Sequence, residues 1–321
     1  MSWQWIQRRG VESRRTFTDP GSQRKPFSIA RIRKAYEVVI SNLRYHRALW
    51  AATGLPALAA AAMGVADPGI YGGLVSPDLI PGAYSQDLIS VLASAGLIFL
   101  AMAGANGRPK GQLLAFGLLG YLFYAYGIYV IERTYNGLYL VYMAIFTLSF
   151  WALVGAVASI HRDRPAPTLP RSLRIVSASG ALLQPLIFYP LWVAMLLPLM
   201  STGNQIDSLY SIFILDLCFI MPAFLLLATL TYRSHPLGLL LLPALYVLGF
   251  TLIFSLALGE LVKPLFSMEI NFQAFWPSLG LSMLFGILGA FHLLKLELPP
   301  HQAAHKQRRT HTKPLDAQTD R

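Results

Sequence analysis

The chain has 321 residues, of which 55% are hydrophobic and 13% are charged, and its mean hydropathy is +0.50. Soluble domains carry about 25% charged residues, so this chain has roughly half the charge that a soluble surface needs. The single cysteine, Cys218, excludes a disulfide framework and a cysteine-rich metal site.

Eight apolar stretches follow one another along the chain and predict membrane-spanning helices. A helix rises about 1.5 Å per residue, so about 20 apolar residues cross the roughly 30 Å hydrocarbon core. The stretches lack the alternation with period two that is typical of barrel strands. The predicted fold is therefore an all-α integral membrane protein, a bundle of about eight transmembrane helices. The predicted spans are 48–66, 86–105, 112–131, 136–160, 173–199, 209–231, 236–260 and 274–295.

The first of these spans, 48–66, is short and rich in alanine. If it lay on the membrane surface instead of crossing it, the count would be seven spans. Eight crossings place both termini on the same side of the membrane.

The basic residues predict the orientation of the bundle. Of the 26 Lys and Arg residues, 24 fall on the side of the two termini, and only Arg133 and Lys263 fall on the other side. By the positive-inside rule, both termini are cytoplasmic and the protein lies in the plasma (cytoplasmic) membrane. The formal charge of +11 follows from this topology, and no nucleic-acid partner is predicted. Eight of the 15 acidic residues lie at or toward the outer side.

The two ends of the chain are predicted to be cytoplasmic regions that flank a transmembrane domain over 48–295. Within the N-terminal region 1–47, apolar residues recur at helical spacing over 27–47, with basic residues between them. This pattern predicts an amphipathic helix on an anionic cytoplasmic leaflet, with packing against the cytoplasmic loops as the alternative. The basic tail 296–321 is expected to be disordered.

Several classes of function are excluded because their motifs are missing from the sequence. There is no phosphate-binding glycine loop, no H-E-x-x-H and no G-x-S-x-G. The histidines lie at the cytoplasmic edge or in the termini, so no facing pair can hold a haem within the membrane. No cofactor and no metal site is predicted, and the sequence leaves open whether the chain is an enzyme.

The polar residues within the spans collect in a layer near the outer ends of the helices. We predict that this layer forms a site that binds a ligand or a cation. The candidate residues are Asp216, Asp87, Tyr124, Tyr139, Tyr142, Asn136, Gln184 and Glu260.

The tyrosines of this layer have two interpretations. Those close to predicted helix ends, Tyr129, Tyr135 and Tyr210, fit an aromatic belt at the membrane interface. Deeper tyrosines would lack a hydrogen-bond partner if they faced lipid, so they are expected to face the bundle interior. This second group contains Tyr121, Tyr124, Tyr139 and Tyr142.

Asp216 is the strongest single signal, because a carboxylate at the centre of a span costs about 2.5–3.5 kcal/mol on insertion scales. Only Arg133 and Lys263 are placed to offer it a positive charge, and both are predicted in loops. One hypothesis is that Asp216 and Asp87 line a cavity open to the outside, where a proton, a metal cation or a cationic ligand supplies the charge. Alternatively, Asp216 only bonds tyrosine hydroxyls between helices, and Asp87 only caps a helix N-terminus.

The two aspartates also occur in similar surroundings, Gln86-Asp87-Leu88 in the second span and Leu215-Asp216-Leu217 in the sixth. A duplication of four spans would produce this similarity, with the repeats related by an axis along the membrane normal. Such a repeat predicts that both aspartates lie at a similar depth.

Three functions remain open from the sequence. The first is the binding or transport of a small solute, for example a cationic one, through the outer-half site. The second is a membrane-embedded enzyme that uses a protonated Asp216 as general acid on a lipid or isoprenoid. The third is an assembly or scaffold subunit without chemistry of its own. The oligomeric state and the substrate are not predicted.

Overall fold

The structure is a computed structural model that describes residues 39–103, 109–160, 166–206 and 209–298. The described residues are all-helical and contain no strand, only two isolated bridges. Within these described ranges, eight helices are long and apolar enough to cross a membrane. Their bounds are α1 Leu43–Ala66, α2 Ile80–Met102, α3 Pro109–Ile131, α4 Tyr139–Ala158, α5 Arg171–Thr202, α6 Tyr210–Tyr232, α7 Pro236–Val262 and α8 Phe272–Lys295. The fold is compatible with a multi-pass membrane protein, and the eight candidate spans agree with the predicted number.

The largest difference from the predicted bounds is at the start of α2. The sequence places this span from residue 86, whereas the helix begins at Ile80 and is preceded by a short 3₁₀ turn, Pro77–Leu79. Pro81 lies in the first turn of α2, where the missing N–H of proline costs nothing. Asp87 therefore lies in the second turn of the helix, and its interpretation as an N-cap is wrong.

The described residues before α1, 39–42, do not form the amphipathic helix that the sequence predicts over 27–47. Residues 27–38 lie outside the described residues, and residues 39–42 are not helical. Ile40 pairs with Ile160 in a bridge, and Asn42 has a positive φ of 50°. The Gln112 side chain accepts the backbone N–H groups of Val39 and Ile40, at 2.9 and 3.2 Å. These bonds hold the segment against α3. Residues 299–321 of the basic tail lie outside the described residues.

The helices α3 and α7 form the centre of the bundle. In the apolar segment of α3, 78% of the residues are buried, and in α7 the share is 61%. The two helices approach closely at Gly117, where an added methyl group would stand 2.8 Å from the Ala244 carbonyl oxygen. Glycine at this position is what allows the backbones to come together. At the other extreme, only 11% of the apolar segment of α5 is buried, so α5 is peripheral.

The two halves of the chain have the same pattern of neighbours. In the first half α1 packs on α2 and α4, and α3 packs on α2 and α4; in the second half α5 packs on α6 and α8, and α7 packs on α6 and α8. Between the halves α3 packs on α7, α2 on α7, and the start of α6 on α3. If α1–α4 are exchanged with α5–α8 in order, the list of contacts stays the same. The pair α2–α7 becomes α6–α3, for example, and the pair α3–α7 is unchanged. This correspondence supports the four-span repeat.

The two ends of the bundle are named by their charge. We call the end that carries Asp67, Asp78, Glu132, Glu260 and Glu269 the acidic end. The opposite end, with the first residues of α3 and the last residues of α8, is the basic end.

Candidate functional site

Asp87 is buried at the acidic end, and the neighbouring helix is shaped to accommodate it. Its side chain is 1% exposed. The Gly64 backbone of α1 leaves the space for the carboxylate, because an added methyl group there would overlap Asp87 Oδ2 and stand 2.8 Å from the carboxyl carbon. Packing between α1 and α2 thus encloses Asp87 on one side.

Two tyrosine hydroxyls supply the hydrogen bonds to Asp87. Tyr71, in the connection between α1 and α2, donates to Oδ2 at 2.6 Å. Tyr129 of α3 donates to Oδ1 at 3.2 Å, and its ring stacks on that of Tyr71. Both carboxylate oxygens therefore have a donor, and both come from phenols rather than from cations.

Tyr71 lies outside the candidate spans but is fully buried over Asp87. Burial, together with the negative charge of the neighbouring carboxylate, raises the pKa of Tyr71 above its ordinary value. The hydroxyl therefore keeps its proton and acts as a donor to Asp87. The short connection between α1 and α2 is thereby fixed to the bundle.

Further tyrosines surround this pair. Tyr121 donates to the backbone oxygen of Gln86 at 2.9 Å, and Tyr126 donates to that of Ala57 at 2.8 Å. Tyr142 stacks on Tyr129, with 4.9 Å between ring centroids. The amide of Asn136 in turn donates to the Tyr142 hydroxyl at 3.1 Å.

Tyr121, Tyr124 and Tyr142 are buried in the bundle interior, as the sequence indicates. Tyr129 is also buried, 3% exposed, so its interpretation as a belt residue is wrong. It lies two residues from the end of α3, but the connection that carries Tyr71 folds over it.

Asp216 has a different environment on α6. It is 4% exposed, and the indole N–H of Trp192 on α5 donates to its Oδ2 at 2.8 Å. The buried Tyr124 of α3 lies beside the same carboxylate. Oδ1 of Asp216 has no hydrogen-bond partner among the described residues. The one salt bridge among them joins Lys263 to Glu260, so Asp216 has no cationic partner there.

Asp216 opens a short π-helical segment within α6. The segment covers Asp216–Ile220 and is flanked by α-helix on both sides, Tyr210–Leu215 and Met221–Tyr232. Single π turns inside α-helices are often found at functional sites, because they widen the helix and redirect a side chain. Here the π segment places a carboxylate between α3, α5 and α6.

The part of α5 that covers Asp216 packs loosely. All the buried residues of α5 lie at or before Pro185, and none lies in 186–202. In this second part, the ring of Trp192 contacts Phe188 of its own helix and Phe213 of α6. One helix with little packing thus separates Asp216 from the surface that faces lipid.

The remaining candidates do not join the two carboxylates. The Lys263 ammonium contacts both oxygens of Glu260, Oε1 at 2.9 Å and Oε2 at 2.6 Å, and Oε2 also accepts the backbone N–H of Asn271 at 3.0 Å. Tyr139 is only partly buried and donates to the Val130 carbonyl oxygen. Gln184 is buried, but its Oε1 has no hydrogen-bond partner among the described residues.

Asp87 and Asp216 contact different tyrosines of α3, Tyr129 and Tyr124. These positions are five residues apart, so they point to two sides of α3, about 140° apart at 3.6 residues per turn. Asp87 lies seven residues after the start of α2 and Asp216 six residues after the start of α6. The two carboxylates therefore flank α3 and form two separate sites.

The sequence analysis missed Gly64, Tyr71 and Trp192. Tyr71 follows a proline and a glycine in a connection, where nothing indicates that it will be buried. Trp192 carries an indole N–H within an apolar span, and that group needs a partner in the membrane. This requirement is the one signal in the sequence that points to Trp192.

Among the described residues, no three His, Cys, Asp or Glu side chains lie close enough together to hold a metal ion. A comparison of the chain with protein-family models, curated proteins and solved structures finds no match.

Proposed function

We propose that this chain is a membrane transporter of a small, positively charged solute, and that Asp216 binds the charge of the solute or a coupled proton. The observation that carries this proposal is the Asp216 carboxylate, buried at the junction of three helices with one oxygen lacking a partner among the described residues. An ionisable residue within a transmembrane segment is costly and is by default a functional group.

The comparison with Asp87 supports this assignment. The two carboxylates stand at corresponding places in the two halves, but Asp87 is bonded on both oxygens by Tyr71 and Tyr129. At Asp216 the indole of Trp192 bonds Oδ2, Tyr124 lies beside the carboxylate, and Oδ1 has no hydrogen-bond partner among the described residues. A ligand that donates a proton or carries a positive charge would supply the contact that a tyrosine supplies at Asp87. Asp87 then has a structural role and Asp216 a binding role.

Aromatic rings around Asp216 favour a cation as the ligand. Trp192 and Phe213 pack edge to face with 5.5 Å between their centroids, and Tyr124 of α3 lies beside the carboxylate. The faces of such rings attract cations, and the attraction increases when the cation is desolvated. The carboxylate supplies charge and the rings supply a weakly hydrated surface.

The helix α5 is suited to be the moving part. Pro185, Pro190 and Pro198 each remove a backbone hydrogen-bond donor from it, which favours kinks. After Pro185 no side chain of α5 is buried, so a hinge there would move Trp192 without breaking a packed core. The distribution of Lys and Arg supports an orientation in which the acidic end, and with it Asp216, faces the outside of the plasma membrane.

The proposal is tested with the purified full chain, using Trp192 as a reporter. Because its indole bonds the carboxylate, a change of charge at Asp216 is expected to change its fluorescence. Titrations with protons, Na⁺ and tetramethylammonium would be compared for the wild type, Asp216→Asn and Trp192→Phe. In proteoliposomes with a trapped pH dye, we expect one of the two added cations to drive a proton flux.

Asp216→Asn should abolish both the fluorescence response and the flux. The matched control is Glu269→Gln, which removes an exposed carboxylate at the same end and should leave both unchanged. A Trp192 signal that responds to neither protons nor cations, without flux, would overturn the proposal and favour a scaffold subunit. A fluorescence response without flux would show binding and reject transport.

A membrane-embedded enzyme acting on a lipid or isoprenoid is the second candidate. It is favoured by the loose packing of α5 over residues 186–202, which leaves Asp216 one helix away from the lipid. In that case Asp216 would be the general acid. Incubation of the protein with membrane lipids, followed by mass spectrometry of the lipids, separates this function from transport.

A further inference from the structure

A groove lies on the side of the bundle, away from both aspartates. It has a volume of about 490 Å³ and runs between α3, α7 and α8. Its wall consists of apolar groups, among them Leu114, Val247, Phe250 and Leu293. Gly286 and Ala290 of α8 form part of its floor, and their small side chains provide the space.

The dimensions of the groove match one leaflet of a bilayer. Its residues on α8 extend from Met283 to Leu293, which is about 15 Å along the helix axis at 1.5 Å per residue. This is half of the roughly 30 Å hydrocarbon thickness. The groove ends two residues before Lys295, the last residue of α8, so it occupies the leaflet at the basic end.

Positive charge lies where the groove reaches the end of the bundle. The Lys110 ammonium donates to the Leu294 carbonyl oxygen at 2.8 Å, directly after the groove residue Leu293. This bond uses one of its three donors. Lys295 is exposed on the neighbouring turn. Within the described ranges no carboxylate lies within ion-pair distance of either lysine.

We propose that the groove is a binding site for an anionic phospholipid, independent of the site at Asp216. One acyl chain lies in the groove along α8, and the phosphate of the headgroup contacts Lys110 and Lys295. The apolar wall recognises the chain, and the two ammonium groups discriminate against lipids without net negative charge.

Native mass spectrometry of the detergent-purified full chain tests this site. Phosphatidylglycerol and phosphatidylcholine with the same acyl chains would be added separately, and the bound fractions compared. Ala290→Phe fills the groove from an exposed position, so it should lower binding of both lipids severalfold without disturbing the core. Its matched control is Ala59→Phe, which places the same ring on the exposed face of α1 and should leave binding unchanged.

The double variant Lys110→Gln/Lys295→Gln tests the headgroup contact. We expect the preference for phosphatidylglycerol to fall by roughly thirtyfold, while binding of phosphatidylcholine stays the same. If Ala290→Phe binds both lipids like the wild type, the groove is not the site. If only the double variant is without effect, the groove holds a chain but the selection of an anionic headgroup is refuted.

Discussion

Replacing Gly64 by alanine tests whether the buried Asp87 cluster holds the acidic end together. The added methyl group would overlap Asp87 Oδ2 and stand 2.8 Å from both the carboxyl carbon and the Tyr71 hydroxyl. Neither neighbour can yield without breaking the 2.6 Å bond between Tyr71 and Asp87.

The expected cost follows from three contributions. Overpacking a core costs about 1–3 kcal/mol. Leaving a buried hydrogen-bonding group without its partner costs about 1–3 kcal/mol. Replacing glycine by alanine within a helix returns up to about 1 kcal/mol. We expect Gly64→Ala to lower the free energy of unfolding by about 3 kcal/mol.

The assay is unfolding of the purified protein in mixed micelles with a rising fraction of denaturing detergent, followed by circular dichroism. The matched control is Gly280→Ala in α8, where nothing lies within 4 Å of an added methyl group. In an Asp87→Ala background the cost of Gly64→Ala should fall by more than half, because the overlapping carboxylate is gone. If Gly64→Ala unfolds like Gly280→Ala, the space at Gly64 is not what accommodates Asp87.

Two further predictions concern the connection after α1 and the centre of the bundle. Tyr71→Phe removes a donor from a buried carboxylate and should destabilise the protein by about 1–3 kcal/mol near neutral pH. The pKa of Tyr71 is raised in the folded state, so the wild type should lose stability above about pH 10, where tyrosine in the unfolded chain ionises. Tyr71→Phe lacks this ionisable group and should lose less stability over the same pH range. If the stability of both proteins falls with the same slope against pH, this prediction is contradicted. Gly117→Ala should separate α3 from α7 and cost about 1–3 kcal/mol in the same unfolding assay, and a neutral result would refute the close approach of these two helices.

The number and course of the spans could be predicted from the sequence because hydropathy reports directly on length and apolarity. Every predicted span corresponds to a helix. Apart from α2, each helix begins within five residues of the predicted start of its span. The start of α2 was missed because Pro81 and polar residues interrupt the apolar run before 86. Proline in a first turn does not end a helix, so the composition gave a misleading boundary.

The site was predictable only in part. A carboxylate within an apolar run is visible in any sequence, so Asp216 and Asp87 could both be identified. What distinguishes them comes from outside their own helices: Tyr71 is supplied by a connection, Trp192 by α5, and the space at Gly64 by α1. Contacts between helices depend on how each helix is rotated, and periodicity does not report the rotation of spans that are apolar on nearly every side.

The glycines of α8 provide a similar case, because only the packing of the helices identifies what lies against them. Gly286 lies against Phe250, and an added methyl group at Gly289 would stand 2.8 Å from the Tyr246 Cβ. Both of these partners are on α7 of the same chain. Small residues allow another helix to approach closely, and the fold identifies α7 as that helix.

The length of α5 connects the candidate site to the surrounding bilayer. With 32 residues it is about 48 Å long, against a hydrocarbon core of about 30 Å. A helix that exceeds the local thickness tilts or bends to keep its apolar surface covered, and little protein packing opposes that adjustment here. The inclination of α5 sets where Trp192 meets Asp216. Bilayers of different thickness would therefore change the tilt of this one helix and with it the contact between its indole and the carboxylate. The geometry of the site would then depend on the lipid composition of the membrane.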